Sequence, residues 1–265
     1  MKKYLIVNAD DFGITPRVSE GIITAHKQGI VTSTTVMANM PAAADAIQKA
    51  QTEAPDLGLG LHFNLSFGAP VLPAEQVPSL LEADGTFGRS FGQLQARAPR
   101  FQVEHLTAEL HAQFDRFVAL AGGLPDHMDS HHAITYWHPH AFDVMLRLAA
   151  EHGLPVRSGA YYIEQVPVLR QVYEAVQPAP RWPGWIDHEP DFFDDGATLE
   201  ALCSILNDLE PGVHEFICHP GYPDDLDEDY AAPRAREVQI LTDPAAREII
   251  AQQGIELITF AQMPG

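Results

Sequence analysis

Four short polar clusters each follow an apolar run that is typical of a buried strand. They are residues 8–13 (Asn-Ala-Asp-Asp-Phe-Gly), 60–64 (Gly-Leu-His-Phe-Asn), 127–132 (His-Met-Asp-Ser-His-His) and 218–221 (Cys-His-Pro-Gly). In a parallel barrel the carboxyl ends of the strands share one face, and that face carries the active site. We therefore expect the clusters to converge, which makes their aspartates and histidines the first candidates for chemistry.

Asp11, His62 and His131 form the candidate metal site. Two imidazoles and one carboxylate suit a catalytic divalent ion that keeps open positions for water and substrate. These ligand types favour Zn²⁺, Fe²⁺, Co²⁺ or Mn²⁺, because Mg²⁺ prefers more oxygen. Taken alone, His62 on an apolar strand is as easily a hydrogen-bonded core residue, so the prediction depends on its partners.

Asp10 and Asp11 are adjacent, and adjacent side chains of an extended strand point to opposite sides. Both can face one site only if the chain bends there, which Gly13 would assist. In the functional interpretation one carboxylate binds a metal and the other acts as a base. In the structural alternative the pair belongs to a turn that caps a helix beginning at Arg17.

Other polar and aromatic residues are candidates for supporting roles. His219 has an ordinary pKa of about 6.5, so it could protonate a leaving group, or it could be structural at a tight turn. Asp129 could orient an imidazole from behind. Candidates for substrate contacts, each balanced against an ordinary structural role, are His127, His132, Trp182, Trp185 and Tyr222.

Short apolar runs alternate with amphipathic stretches, which favours a mainly parallel α/β sheet with helical crossovers. The predicted strands are residues 4–8, 33–37, 57–65, 126–130, 155–157, 213–218 and 255–259. The predicted helices are residues 17–28, 41–51, 107–121 (with Thr107 as N-cap), 139–151, 199–209 and 244–253. About seven strands favour a closed or distorted (β/α) barrel over an open doubly wound sheet.

No interdomain linker stands out, so residues 1–265 are predicted to form one domain. A long insertion near residues 66–100 is rich in proline, glycine and turn residues, and such insertions are usually functional or mobile. A Pro/Trp-rich loop is predicted over residues 177–193 and an acidic loop over residues 224–229.

Composition and the absence of several motifs disfavour some classes of function. The 265 residues carry 16 Lys and Arg against 36 Asp and Glu, a net charge of −20, which disfavours nucleic acid and anionic membranes as partners. There is no serine nucleophile elbow, Walker loop or dinucleotide fingerprint, and the two cysteines form no C-x-x-C pair. The apolar N-terminal run is shorter than a signal peptide requires, so we expect a cytoplasmic protein.

Taken together and in order, these motifs resemble those of the YdjC-like carbohydrate deacetylases. The matching segments are residues 5–13, 29–35, 60–62, 127–132 and 219–221, which span most of the chain. The family includes chitooligosaccharide deacetylases and a hopanoid-biosynthesis-associated branch. The motif Asn-Ala-Asp-Asp-Phe-Gly is distinctive on its own.

The resemblance implies a distorted (β/α) barrel related to the larger polysaccharide deacetylases, often present as a homodimer. It implies a divalent ion, commonly described as Mg²⁺, at Asp11, His62 and His131. It suggests Asp10 as the base and His219 as the acid, with an acetylated amino sugar as substrate.

One motif departs from the family pattern. Many members continue it as Asp-Ser-His-His-His-x-His, whereas here Ala133 and Thr135 stand in place of the later histidines. His131, the implied ligand, is retained. The departure concerns the identity of the sugar.

We expect a metal-dependent hydrolase that removes an acetyl group from an N-acetylated amino sugar. Two alternatives remain. The same ligands could serve a metal-dependent lyase, isomerase or oxygenase, or the protein could be a non-catalytic sugar-binding relative. The presence of all five implied site residues argues against the non-catalytic alternative.

Overall fold

The computed structural model describes residues 2–186, 192–226 and 230–264. This part of the chain contains a seven-stranded sheet in the order β4-β3-β2-β1-β6-β5, with β7 also beside β1, and every pairing is parallel. The strands are β1 (Lys3–Phe12), β2 (Ser33–Val36), β3 (Gly58–Phe63), β4 (Met128–Ser130), β5 (Gly184–Trp185), β6 (Gly212–Cys218) and β7 (Ile255–Leu257).

The sheet curls into a barrel that closes through irregular backbone. Beyond β4, Met128 forms a single bridge with Val156, whose N–H donates to the carbonyl of Arg181 (2.9 Å), and β5 follows to pair with β6. The predicted distorted (β/α) barrel is confirmed. The strand predicted over residues 155–157 is reduced to one bridge, because Pro155 has no N–H to continue a ladder.

Helices surround the sheet. They are α1 (Pro16–Gln28), α2 (Ala43–Glu53), α3 (Phe91–Arg97), α4 (Val103–Ala121), α5 (Ile134–Trp137), α6 (Pro139–His152), α7 (Ala160–Gln165), α8 (Pro167–Ala175), α9 (Leu199–Asp208), α10 (Ala231–Leu241) and α11 (Pro244–Gln253). Local signals explain their ends: the Thr15 hydroxyl accepts from the N–H of Val18 at the start of α1. No helix within the described residues is long and apolar enough to cross a bilayer.

Several elements differ from the sequence-based expectation. Thr107 is not an N-cap: α4 begins one turn earlier, at Val103, and this extra turn buries Leu106. Helices α3, α5, α7, α8 and α10 were not predicted, because four of them are short and α10 has no capping side chain at Tyr230. Residues 187–191 of the predicted Pro/Trp-rich loop and 227–229 of the predicted acidic loop lie outside the described residues.

The insertion is held by buried charged side chains. Arg97 donates to the carbonyls of Leu65 (3.0 Å), Leu80 (3.1 Å) and Phe87 (2.5 Å). Glu109 of α4 accepts hydrogen bonds from two backbone N–H groups near the start of the insertion, those of residues 71 and 72. These side chains satisfy backbone groups that have no sheet or helix partner, which fixes the insertion against the barrel.

His127 is buried inside the barrel, directly before the start of β4 and beside the segment that follows β7. Its ring stacks on Phe260 at 3.7 Å between centroids, and its Nδ1 donates to Asp126 Oδ1 (2.6 Å). Gly60 of β3 faces the ring: a Cβ at that position would lie 2.2 Å from the His127 Cε1 atom. The glycine is therefore required by the histidine beside it.

We expect Gly60→Ala to lower the free energy of unfolding by about 1–3 kcal/mol, because the added methyl group overpacks the contact with His127. The measurement is urea denaturation. Gly92→Ala is the matched control, since a Cβ there meets nothing within 4 Å. Adding His127→Ala to the Gly60→Ala variant should restore part of the lost stability. Equal stability of Gly60→Ala and Gly92→Ala would contradict the contact.

Candidate active site

The strand ends converge on one cavity of about 670 Å³. Its polar walls come from all four sequence clusters or the segments that follow them, and aromatic side chains surround the opening. The residues that line it include Asp10, Asp11, His62, Phe91, His131, His132, Ala133, Tyr136, Arg157, Trp185, Phe193, Glu215, His219, Tyr230 and Arg234. The predicted convergence is thus observed.

A bulge at the end of β1 turns both adjacent aspartates into the cavity. Asp11 has a φ of +70°, a left-handed conformation that non-glycine residues rarely adopt, and the register with β2 shifts between Ala9 and Phe12. Gly13 follows at φ +85°. The bend that the sequence required therefore begins at Asp11 itself, and strained backbone of this kind is common at functional sites.

Asp11, His62 and His131 meet in the cavity floor. Asp11 Oδ1 lies 3.2 Å from His62 Nε2 and 2.8 Å from His131 Nδ1, and all three side chains are buried. Within the described residues no donor is aligned for a hydrogen bond to this oxygen. One oxygen and two nitrogens around a common point fit a divalent cation, so these residues could hold a metal.

Asp129 orients His62 from behind. Its Oδ1 accepts from His62 Nδ1 at 2.6 Å, which turns Nε2 toward Asp11. Burial lowers the pKa of His62, but the carboxylates of Asp129 and Asp10 outweigh burial and raise it to about 10. In the metal-free site His62 is therefore protonated at neutral pH, and this proton would leave when Nε2 binds a metal.

Asp10 is held on both oxygens by Arg157. The guanidinium donates Nη1 to Oδ2 (2.8 Å) and Nη2 to Oδ1 (2.6 Å), and its Nε donates to Glu215 Oε1 (2.8 Å). Burial raises the pKa of Asp10, but the charges of Arg157 and His62 hold it below its ordinary value. Asp10 is therefore an ionised carboxylate beside the candidate metal site.

His219 lies on the other side of Asp10. Asp10 Oδ2 is 3.9 Å from His219 Nε2 and also 3.9 Å from His62 Nε2. Burial lowers the pKa of His219 to about 4, although Asp10 and Asp11 act in the opposite direction. The resting imidazole is therefore neutral at neutral pH.

Phe193 and Tyr230 form an aromatic wall beside His219. Their rings stack at 4.0 Å between centroids, and each meets the imidazole edge-on, at 5.6 and 5.5 Å. Glu237 ties the wall to the histidine, because it accepts from the Tyr230 hydroxyl and from the N–H of His219 (2.6 Å). The position of the imidazole is thus set by packing and by its own backbone.

Arg234 of α10 binds the second oxygen of Asp11. Its Nη2 donates to Oδ2 at 2.6 Å, so only Oδ1 faces the two histidines. Sequence reasoning missed Arg234 and Glu237 because it predicted no helix there. Arg157 and Glu215 were also missed, although Arg157 ends a predicted strand and the strand-end rule could have singled it out.

The remaining sequence candidates divide into two groups, those that line the cavity and those that do not. Trp182 belongs to the second group, because its ring stacks on Tyr173 at 4.3 Å between centroids. His132 and Trp185 line the cavity; His132 Nδ1 contacts Ser66 Oγ at 2.8 Å, and Trp185 is 40% exposed. Tyr222 is not brought into the cavity, because its ring packs under the guanidinium of Arg17 at 4.8 Å. His127 also stays outside the cavity, in its stack with Phe260.

Comparison with known proteins supports the family that the motifs suggested. A family profile described as YdjC-like protein matches residues 4–252. The chain belongs to the YdjC-like family. A YdjC-like relative from Geobacillus stearothermophilus, named carbohydrate deacetylase, is 38% identical over 99% of this chain and 98% of its own. Another from Yersinia pestis, named chitooligosaccharide deacetylase, is 34% identical over 98% of this chain and 99% of its own.

A solved YdjC-like structure shares the whole fold. It is an Enterococcus faecalis protein described as a candidate cellobiose-phosphate cleavage protein, 35% identical, and 98% of each chain is covered at a TM-score of 0.87. The full-length match includes the insertion and α10. The fold that surrounds the cavity is therefore the fold of this family.

We predict that Glu237 makes stability depend on pH. Burial raises its pKa from 4.5 to about 7 and outweighs the hydrogen bonds from Tyr230 and His219. The folded protein keeps a proton that the unfolded chain has lost, so this contribution is complete below pH 4.5 and disappears as the pH rises through 7.

Relative to wild type, Glu237→Gln should therefore gain about 3 kcal/mol of unfolding free energy between pH 4.5 and pH 8. Urea denaturation across this range measures the difference. The exposed Glu53→Gln variant controls for the loss of one charge. Parallel curves for wild type and Glu237→Gln would contradict the assignment.

Proposed function

We propose that this protein is a metal-dependent hydrolase that removes the acetyl group from an N-acetylated amino sugar. The observation that carries the proposal is the Asp11–His62–His131 cluster, with an ionised carboxylate, Asp10, and an imidazole, His219, beside it. The names of the relatives, carbohydrate and chitooligosaccharide deacetylase, support the same reaction class.

When bound, a divalent ion would polarise the amide carbonyl and lower the pKa of a water molecule. Asp10 is the proton acceptor in this proposal. Arg157 keeps it ionised but also makes it a weak base, so it is matched to an acidified water rather than to bulk water. Arg157 also fixes both oxygens, which orients Oδ2 toward His219 and the metal-binding face.

The proton balance follows from the two protonation states. The amide nitrogen must gain a proton before the C–N bond breaks, and His219 is neutral in the resting site. The proton that Asp10 takes from water is the one that the amine needs, and His219 Nε2 lies 3.9 Å from Asp10 Oδ2. His219 therefore acts as an acid after it receives this proton, and acetate and the free amine are the products.

Two features of the cavity support a sugar as substrate. Its volume of about 670 Å³ lies within the range of small-molecule sites, and exposed aromatic rings at the opening offer flat apolar faces for stacking. These rings are Phe91, Trp185 and Phe193, which are 41%, 40% and 49% exposed. The ligand types favour a transition metal, while the family resemblance suggests Mg²⁺.

The test is acetate release from N-acetylglucosamine and its oligosaccharides, after metal removal and after return of Mg²⁺, Mn²⁺, Co²⁺ or Zn²⁺ one at a time. We expect Asp11→Asn to weaken metal binding by more than about 100-fold and to abolish acetate release. A residue that contacts only a metal ligand, and not the metal itself, typically costs less than this. Calorimetry measures binding independently of turnover. Asp56→Asn, an exposed change of the same type, should behave as wild type.

Other outcomes separate the alternatives. Turnover of a sugar without acetate would favour a lyase or isomerase. Metal binding and sugar binding without any turnover would favour a non-catalytic relative. Acetate release that survives both metal removal and Asp11→Asn would overturn the metal-dependent mechanism.

We predict that His219→Asn lowers kcat on acetamido sugars by roughly 100- to 10,000-fold, the usual contribution of proton transfer, and leaves metal affinity unchanged. The acetate ester of 4-nitrophenol releases a phenolate that needs no such protonation, so its hydrolysis should fall by less than about tenfold. His26→Asn, in the last turn of α1 and not among the residues that line the cavity, is the control. Equal losses on both substrates would contradict an acid role.

A further inference from the structure

The cavity wall holds two buried polar atoms that have no protein partner. Tyr136 is 1% exposed and Glu215 is 2% exposed, and both line the cavity. In the part of the chain that the structure describes, no group forms a hydrogen bond with the Tyr136 hydroxyl or with Glu215 Oε2. We refer to Tyr136 and Glu215 as the polar recess.

Local structure places Tyr136 in the cavity wall. His132 and Ala133 each have a φ of +52°, and these two left-handed residues redirect the chain after His131 so that α5 lines the wall. The ring of Tyr136 is then fixed against Tyr162 at 5.8 Å. The recess is therefore built by unusual backbone directly after the candidate metal ligand.

Glu215 is fixed through the same guanidinium that holds the proposed base. Its Oε1 accepts from Arg157 Nε at 2.8 Å, which leaves Oε2 without a partner. Burial raises the pKa of Tyr136, and the negative charges of Asp129 and Glu215 raise it further. Glu215 is thus close enough to Tyr136 to influence its ionisation. The tyrosine therefore keeps its hydroxyl proton and presents a donor.

Unpartnered buried polar groups destabilise a fold, and native proteins retain few of them. A hydroxyl and a carboxylate oxygen that are both buried in the wall of one cavity are understandable if a ligand satisfies both. A carbonyl could only accept, an ammonium could only donate, and an anion would be repelled by the carboxylate. A hydroxyl group both donates and accepts, so it complements both atoms.

We propose that the polar recess binds hydroxyl groups of the sugar ring, which donate to Glu215 Oε2 and accept from the Tyr136 hydroxyl. This rests on the proposed function, because it names the part of the acetamido sugar that the site recognises. The recess thereby places the sugar relative to Asp10, since Arg157 contacts both Glu215 and Asp10. Tyr136 and Glu215 are specificity-determining residues in this assignment.

The experiment compares Tyr136→Phe with wild type on N-acetylglucosamine and its 3-, 4- and 6-deoxy analogues. Affinity is measured by calorimetry and kcat/KM by acetate release. In wild type we expect one analogue to lose roughly tenfold or more in affinity, since a site built for a hydroxyl rejects its absence. In Tyr136→Phe the same analogue should lose less than about twofold. Tyr161→Phe, an exposed neighbour, should keep the wild-type discrimination.

Stability provides a second measurement that a structural hydroxyl would change. Tyr136→Phe removes a group without a protein partner, so its melting temperature should equal or exceed that of wild type. Glu215→Gln keeps an oxygen for Arg157 and should show the same loss of discrimination toward that analogue. A lower melting temperature for Tyr136→Phe, or undiminished discrimination in it, would overturn the recess.

Failure of the recess and failure of the deacetylase proposal give different results. Acetate release with undiminished discrimination in Tyr136→Phe leaves the reaction intact and refutes the hydroxyl contact. Sugar binding with reduced discrimination but no acetate release supports the contact and refutes the reaction. No binding of any acetamido sugar refutes both.

Discussion

Two buried guanidinium groups give adjacent aspartates different roles. Arg157 binds both oxygens of Asp10, whereas Arg234 binds only one oxygen of Asp11. Asp10 is therefore a fixed, ionised carboxylate, and Asp11 keeps Oδ1 free toward His62 and His131. Sequence position alone could not separate the two residues, but the number of oxygens that each arginine occupies does. The candidate metal site and the proposed proton transfer both depend on this pairing.

Burial of these charges is costly, and each cation must be matched by several carboxylates. Arg157 contacts Asp10, Asp129 and Glu215, and Asp129 in turn orients His62. A change at Arg157 would leave three buried carboxylates without their cation, so its variants would report mainly on folding. For this reason the sharper tests of chemistry are at Asp11 and His219, where one charge or one ring is altered and the ion pairs of Arg157 remain.

The strand-end rule predicted the convergence of the four clusters because every pairing in the sheet is parallel. The rule could not predict which residues of a cluster reach the cavity and which lie deeper in the barrel. His127, Asp129 and His131 alternate onto one side of an extended chain, yet His127 lies one layer lower against Phe260, while His131 reaches the cavity. The arginines escaped prediction for a different reason. Arg157 pairs with Asp10 across 147 residues and Arg234 with Asp11 across 223, and no local pattern marks such ion pairs.

The motif that departs from the family pattern also has a structural meaning. At the two positions where many members have histidine, Ala133 lines the cavity and Thr135 is buried with its hydroxyl bonded to Ser130 Oγ (2.8 Å). Neither residue supplies an imidazole to the wall. The next residue, Tyr136, lines the cavity, and its hydroxyl has no hydrogen-bond partner among the residues that the structure describes. If the recess binds sugar hydroxyls, this stretch of the wall offers the neutral phenol of Tyr136 and no imidazole at positions 133 and 135. Such a difference would alter which sugar is accepted while the proposed metal ligands, base and acid stay the same.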